Sequence, residues 1–341
     1  MAGGFSLAGG GEIGMRILLV FALGLAGFGQ EWTVLVSGVS ARLRGVSAVN
    51  ERVAWASGAE GTVLRTSDGG TTWKRLIVPG AEKLDFRDVD AVDEKTAYLL
   101  SIGPGRASRI YKTRDAGMSW ALQFQNTDEK AFYDAMTFWD ARHGMAVGDS
   151  IEGKFVFLFT ADGGAHWERR EVPGALAGEG AFAASGTNIA SWGRKLLWVG
   201  TTAGRVLRSV DGGRTWAISS AGLETGASAG IFSVAFRDGR HGVVVGGDYK
   251  LEDRAVRNVA VTEDGGVTWK VGTGVGGLRS VVSVMGKGLV AVGPTGTDVS
   301  VDGGLGWRAV AGFGLHTFSV GKGGVVGFGA GEKGLIGRLR W

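Results

Sequence analysis

One octapeptide, built on Asp-Gly-Gly and closed by Trp, occurs six times in this chain: TSDGGTTW, TRDAGMSW, TADGGAHW, SVDGGRTW, TEDGGVTW and SVDGGLGW, ending at Trp73, Trp120, Trp167, Trp216, Trp269 and Trp307. Its aspartates, Asp68, Asp115, Asp162, Asp211, Asp264 and Asp302, are 47, 47, 49, 53 and 38 residues apart. That period suits one four-stranded propeller blade per copy. Each copy reads as a tight turn between two strands. The glycines open backbone conformations closed to other residues, the carboxylate accepts N–H groups across the turn, and the Trp packs between blades. A catalytic or metal-binding role would repeat the same group around the whole rim, so the aspartates are read as structural.

The blade count follows from the runs between the motifs. Short apolar segments at 43–49, 86–92, 133–139, 231–237, 278–284 and 315–320 sit where innermost strands belong, and FAASGTNI at 182–189 is the weakest seventh copy. These runs are rich in β-branched residues and punctuated by Gly and Asp. Seven inner strands against six motifs are reconciled at the chain ends. The last unit stops at Trp341 after a third strand, and WTVLVSG from Trp32 resembles the strand that follows a motif Trp. The expectation is an all-β, seven-bladed β-propeller over residues 30–341, its seventh blade closed by the N-terminal strand, which removes the free edges an open fan would expose.

Residues 1–29 differ from the rest: Met15-Arg16 precedes the apolar run ILLVFALGLAGFG. This is the pattern of an export signal peptide, too short for a comfortable membrane span. Cleavage near Gly29 would leave a periplasmic or secreted protein; an uncleaved anchor is the alternative, and Met15 could be the true start. Zero cysteines exclude disulfides and thiolate metal sites. A net charge of +4 favours an anionic partner, yet no dense Lys/Arg stretch points to nucleic acid.

Strand order puts the Asp motifs on one face of the ring and the starts of the inner strands on the other. On this second face the copies diverge, and divergence within a repeat is where function can be added. The second inner-strand residue is in turn Arg44, Arg87, Asp134, Ala183, Phe232, Arg279 and His316. In a closed ring Arg279, His316, Arg44 and Arg87 are neighbours, so a cationic arc at the channel mouth is expected, suited to carboxylate or phosphate recognition. Pairing with acids such as Asp88, Asp134 or Asp248 is the competing reading. Loops on the same face bring Arg106, Asp149, Glu152, Glu179, Asp248, Tyr249 and Asp253. No fixed spacing singles out a carboxylate pair for glycosidic chemistry. The four histidines, His143, His166, His241 and His316, fall in different blades, and no zinc pattern, Ser-His-Asp arrangement or nucleotide fingerprint occurs. No cofactor and no metal are expected.

The SxDGGxTW motif at this spacing resembles the Asp-box, or bacterial neuraminidase, repeat. Together with Leu43-Arg44, Phe86-Arg87 and Leu278-Arg279 opening inner strands, and the HGxxVG runs from His143 and His241, it looks like the photosystem II stability and assembly factor family over about residues 31–341. That resemblance implies a non-catalytic, assembly-factor-like propeller that binds a protein or peptide, such as a membrane-protein subunit. An arginine patch would be the contact, at Arg44, Arg87 and Arg279 here, holding an acidic group with His316 and Asp134 beside it. Sialidases also carry such repeats, which leaves a glycoside hydrolase acting on an extracellular glycan as the alternative. Its candidate carboxylates are Asp134, Asp149, Glu179 and Asp248. No Arg-Ile-Pro signature lies near the N-terminus, and the two-propeller cleft of xyloglucanase-like enzymes does not fit one ring.

Overall fold

The computed structural model describes residues 30–341, and the leader read over residues 1–29 lies outside them. Seven four-stranded antiparallel sheets form the described chain, with no α-helix and two short 3-10 turns at Gly105–Ala107 and Glu332–Gly334. The innermost strands of blades 1 to 7 are Leu43–Ala48, Asp85–Ala91, Tyr133–Phe138, Ile189–Trp192, Ala229–Phe236, Val281–Met285 and Thr317–Val320. Each touches the next around a central channel, and blade 7 returns to blade 1.

The ring closes as the sequence implies. Blade 7 takes three strands from the C-terminal region and its outer strand, Glu31–Leu35, from the N-terminal end. That strand pairs antiparallel with Ile336–Arg340, Trp32 standing opposite Leu339. The Trp32 ring packs on Phe313 and Phe318, and its Nε1 donates to Thr297 of blade 6 at 3.1 Å.

Every copy of the octapeptide folds the same way. In the first, Asp68 Oδ1 accepts from the Thr66 hydroxyl and the Thr72 N–H, Oδ2 accepts from the Thr72 hydroxyl at 2.6 Å, and Thr66 Oγ1 accepts from Gly70 N–H. These bonds favour the ionised carboxyl and pull Asp68, Asp115 and Asp264 down to about 2. The residue after each Asp is left-handed: φ is +74° at Gly69 and +82° at Gly303. In the second copy Ala116 holds that place at φ +62°. The motif tryptophans pack on the preceding blade, as when Trp120 meets Trp55 edge to face with centroids 6.1 Å apart. The core is accordingly spread over the blade interfaces: Val243 and Val245 of blade 5 pack with Val282 and Ala291 of blade 6. Burying one such valine contributes about 1.5–3 kcal/mol, so the interfaces dominate stability.

Side chains in the channel stitch neighbouring blades together. Ser319 Oγ accepts from Ala48 N–H, Ser47 Oγ from Ala91 N–H, and Asp90 Oδ2 from Phe138 N–H. Each thus satisfies a backbone donor that the wedge between two inner strands would leave unpaired.

Blade 4 departs from the sequence expectation. Its inner strand begins only at Ile189, and most of the FAASGTNI run is not strand. The chain there crosses the channel instead: Ser185 Oγ donates to Ser280 O of blade 6, and Thr317 of blade 7 donates to Ser185 O. Small residues and Gly186 at φ +74° allow this path, which a β-branched strand sequence would resist.

Ala116 offers a direct test of the turn. Ala116→Gly removes a left-handed non-glycine residue and is expected to stabilise by about 1 kcal/mol. Gly303→Ala, whose Cβ would meet nothing within 4 Å, should destabilise by about the same amount through backbone strain alone. Calorimetric unfolding midpoints moving in opposite directions, by about 2–4 °C each, check both.

Candidate functional site

The inner strands of blades 1, 2, 3 and 5 carry a β-bulge in their first half, and the residues stepped out of register are Arg44, Arg87, Asp134 and Phe232. A bulge turns its extra side chain away from the ladder. The second strand makes room with glycine: a Cβ at Gly58, Gly148 or Gly246 would strike the carbonyl before the bulge. Divergence at this position therefore has a physical basis, since these side chains stand outside the strand alternation that fixes their neighbours.

Among them Arg44 stands out. It is half-buried beside Arg87 and Arg42, it has no ion-pair partner among the described residues, and its Nε is buried without a hydrogen bond. Burial, with the positive charge of Arg87 and Arg42, pulls its pKa down to about 10. Arg87 bonds Asp85 through Nε at 2.8 Å, and its Nη1 donates to Ala183 O at 2.7 Å, tying blade 2 to the segment that crosses the channel. Arg42 reaches Asp85 only at 3.9 Å. Three guanidinium groups thus gather around Asp85 and Glu332, one cation in excess.

The remaining members of the expected arc play other parts. Arg279 is 2% exposed and committed to Asp298 at 2.7 Å, with further bonds to Leu278 O and Thr295. It locks blade 6 and presents no free guanidinium, because a charge so deeply buried keeps its internal counter-ion. His316 carries no charge near neutrality: burial and Arg44 lower it to about 4, and its Nε2 donates to Glu332 at 2.7 Å. Asp134 is 2% exposed, Oδ2 is unpartnered, and burial next to Asp149 raises its pKa well above the usual range. It cannot serve as a charged surface contact. Of the expected arc Arg44 and Arg87 remain as neighbours, and Arg42 joins them.

The hydrolase carboxylates fare similarly. Glu179 is 2% exposed and held by Arg205, the Thr201 hydroxyl and Leu176 N–H, which keep it ionised. Asp248 caps a turn at Lys250 N–H. Asp134 and Asp149 do lie side by side, but burial raises both and Asp134 is closed off from solvent, so no pair of these carboxyls flanks the open cleft that glycoside hydrolysis requires. His143 and His241 each bond an aspartate three residues earlier, Asp140 and Asp238, on equivalent hairpins. No group of three His, Cys, Asp or Glu with metal-binding geometry occurs among the described residues.

Several participants escape a reading of the sequence by blade position. Arg42 precedes the inner strand and Glu332 lies in a 3-10 turn. The channel-crossing segment reads as a strand in the sequence, yet strand begins only at Ile189. Asp88 and Asp90 carried a usable signal: in FRDVDAV they alternate, so both face one side of a strand already assigned to the channel.

The sequence matches no family model and no curated protein. Among solved structures the fold is similar to YCF48 bound to a D1 peptide, with a TM-score of 0.62 and 16% identity over 92% of this chain and 97% of that one. YCF48 from Cyanidioschyzon merolae superposes at 0.64 with 17% identity, over 91% of this chain and 98% of that one. A GH74 xyloglucanase from Xanthomonas campestris reaches 0.61 with 15% identity, over 90% of this chain but 53% of that one. At such identities the likeness is one of fold.

The buried acids set a pH profile. Burial raises the pKa of Asp88, Asp134 and Asp149, and of Asp90 to about 6, so the folded state holds these protons more tightly and gains stability as pH falls from neutrality. His316, lowered on folding, opposes them as one group against four. Below about pH 4 the motif aspartates, lowered on folding, protonate and stability is lost. The unfolding midpoint should therefore rise from pH 8 to about 5 and then fall; Asp134→Asn should flatten the rising limb.

Proposed function

We propose that this protein is an exported, non-catalytic propeller that binds a protein or peptide partner, assembly-factor-like, by taking an acidic group on Arg42, Arg44 and Arg87 at the channel mouth. The observation that carries this reading is Arg44. A half-buried guanidinium pressed against two others, with a buried Nε lacking any acceptor, is costly unless an anion joins it. A carboxylate offers two acceptors in the geometry a guanidinium fork requires.

The surroundings favour a polypeptide over a small free anion. Leu176, Tyr249 and Leu251, on loops of the same face, are about half exposed at 53%, 46% and 51%. An acidic anchor flanked by apolar contacts is the composition of a protein interface. Support by analogy comes from YCF48, a propeller of the same fold that has been solved with a D1 peptide bound. A membrane-protein subunit met in the periplasm, or outside the cell, is the partner class this reading assigns. The glycan-hydrolysing alternative has less support, since Asp134 and Glu179 are buried and Asp248 caps its own turn.

The test is capture of a partner from the envelope fraction of the host. Arg42→Gln with Arg44→Gln should reduce capture at least about tenfold, the value of one charge-assisted contact, while leaving the unfolding midpoint nearly unchanged. Arg214→Gln, on the Asp-motif face, should capture as the parent does. Equal capture by parent and double variant would overturn the assignment. Arg279 is unsuitable for this purpose, because breaking its buried pair with Asp298 costs about 3–5 kcal/mol and unfolds rather than reports.

A further inference from the structure

The segment that crosses the channel does more than fill blade 4. Ala183 and Ser185 are held by Arg87, Ser280 and Thr317, from blades 2, 6 and 7, and Ala184 packs on Phe232 and Leu278. The mouth beside the arginines is thereby plugged. Beneath the plug lies a cavity of about 370 Å3 lined by all seven blades. The buried Ser185 roofs it, whereas Ser191, Val284 and Val320, lower on the inner strands, are only half-buried. Access is therefore from the face that carries the Asp motifs.

The lining of this cavity is one-sided in charge. Asp88 and Asp90 face it from blade 2, and no Lys, Arg or His lines it. Asp88 is 4% exposed; its Oδ2 accepts Met136 N–H, and no cation pairs with either carboxyl among the described residues. Around them stand hydroxyls, including Thr137 and Ser191, and apolar walls from Met136, Val282 and Phe318. We propose that the channel is a binding site for a small organic cation, an alkyl ammonium or alkyl guanidinium, whose charged head pairs with Asp88 and Asp90 and whose alkyl chain lies on the apolar walls.

Volume and chemistry narrow the choice. The cavity falls in the range of small-molecule sites, too roomy for one bare ion, and two carboxylates fall short of the six or more oxygens a calcium ion collects. Buried carboxyls without counter-ions are costly, which is why both hold their protons well above the usual carboxylate range. An arriving cation favours the ionised forms, so binding releases protons. The site lies on the opposite side of the plug from the arginines and does not depend on what they bind.

Titration calorimetry with agmatine and with cadaverine tests this on the intact protein at pH 6, where Asp90 is still part-protonated. Saturable binding is expected, its heat shifting with the ionisation enthalpy of the buffer. Asp90→Asn, which keeps an oxygen for Phe138 N–H, should weaken it at least about tenfold. Ser191→Trp, at the open end, should weaken it equally while leaving both carboxyls intact, and so carries the test if the first variant folds poorly. The Arg42→Gln, Arg44→Gln variant should bind both amines as the parent does, separating this site from partner capture. No saturable heat with either amine, or affinity unchanged in both Asp90→Asn and Ser191→Trp, would overturn the proposal.

Discussion

Everything in this fold hangs on closing a ring of wedge-shaped sheets. Each blade has two apolar faces, and each face is covered only if a neighbour stands on that side. An open fan would leave two uncovered faces and two unpaired strand edges. The five-residue pairing of Glu31–Leu35 with Ile336–Arg340 completes the last blade. Trp32 then drives into the interface with blade 6 through Thr297. The two regions of sequence that meet there are almost the whole described chain apart, which makes this pairing the most non-local among the described residues and the one on which ring closure depends.

Given closure, the design separates two kinds of polar group. Those on the Asp-motif face are local: a carboxylate, the hydroxyl two residues before it and a few N–H groups satisfy one another within eight residues, six times over, and in four copies a second hydroxyl joins them. Those near the channel are long-range and individual. Arg279 with Asp298, Glu179 with Arg205, and Ser185 with Ser280 each occur once. Stability comes from the repeated part, whereas the features available for recognition come from the part that is not repeated.

The bulges at Arg44, Arg87, Asp134 and Phe232 connect these two levels. A bulged position is released from the alternation of the strand, so its identity is free to vary without breaking a blade. In blades 1 and 2 that freedom places guanidinium groups side by side; in blade 3 it buries an acid beside Asp149; in blade 5 it supplies an aromatic floor for the plug, Phe182 stacking on Phe232 at 3.9 Å. Plugging the mouth divides the channel into a cationic upper surface and an acidic lower cavity, two environments of opposite charge within one ring.

Fold class, blade number, the split seventh blade and the structural role of the motif aspartates were legible in the sequence, because each depends on local chemistry repeated at a fixed period. A Gly-rich turn, an Asp with a hydroxyl two residues before it and a Trp at its end need no distant partner to be recognised. The candidate site was legible only in part. Arg44 and Arg87 could be placed by counting from the strand start, but whether a guanidinium is free depends on what the folded ring brings within 3 Å of it. Arg279 meets Asp298, 19 residues away and on another strand, and His316 meets Glu332 and loses its charge. The path of residues 182–188 was decided by tertiary structure as well, since a run of small residues is equally compatible with a weak strand and with a plug, and only the space left by six other blades selects between them.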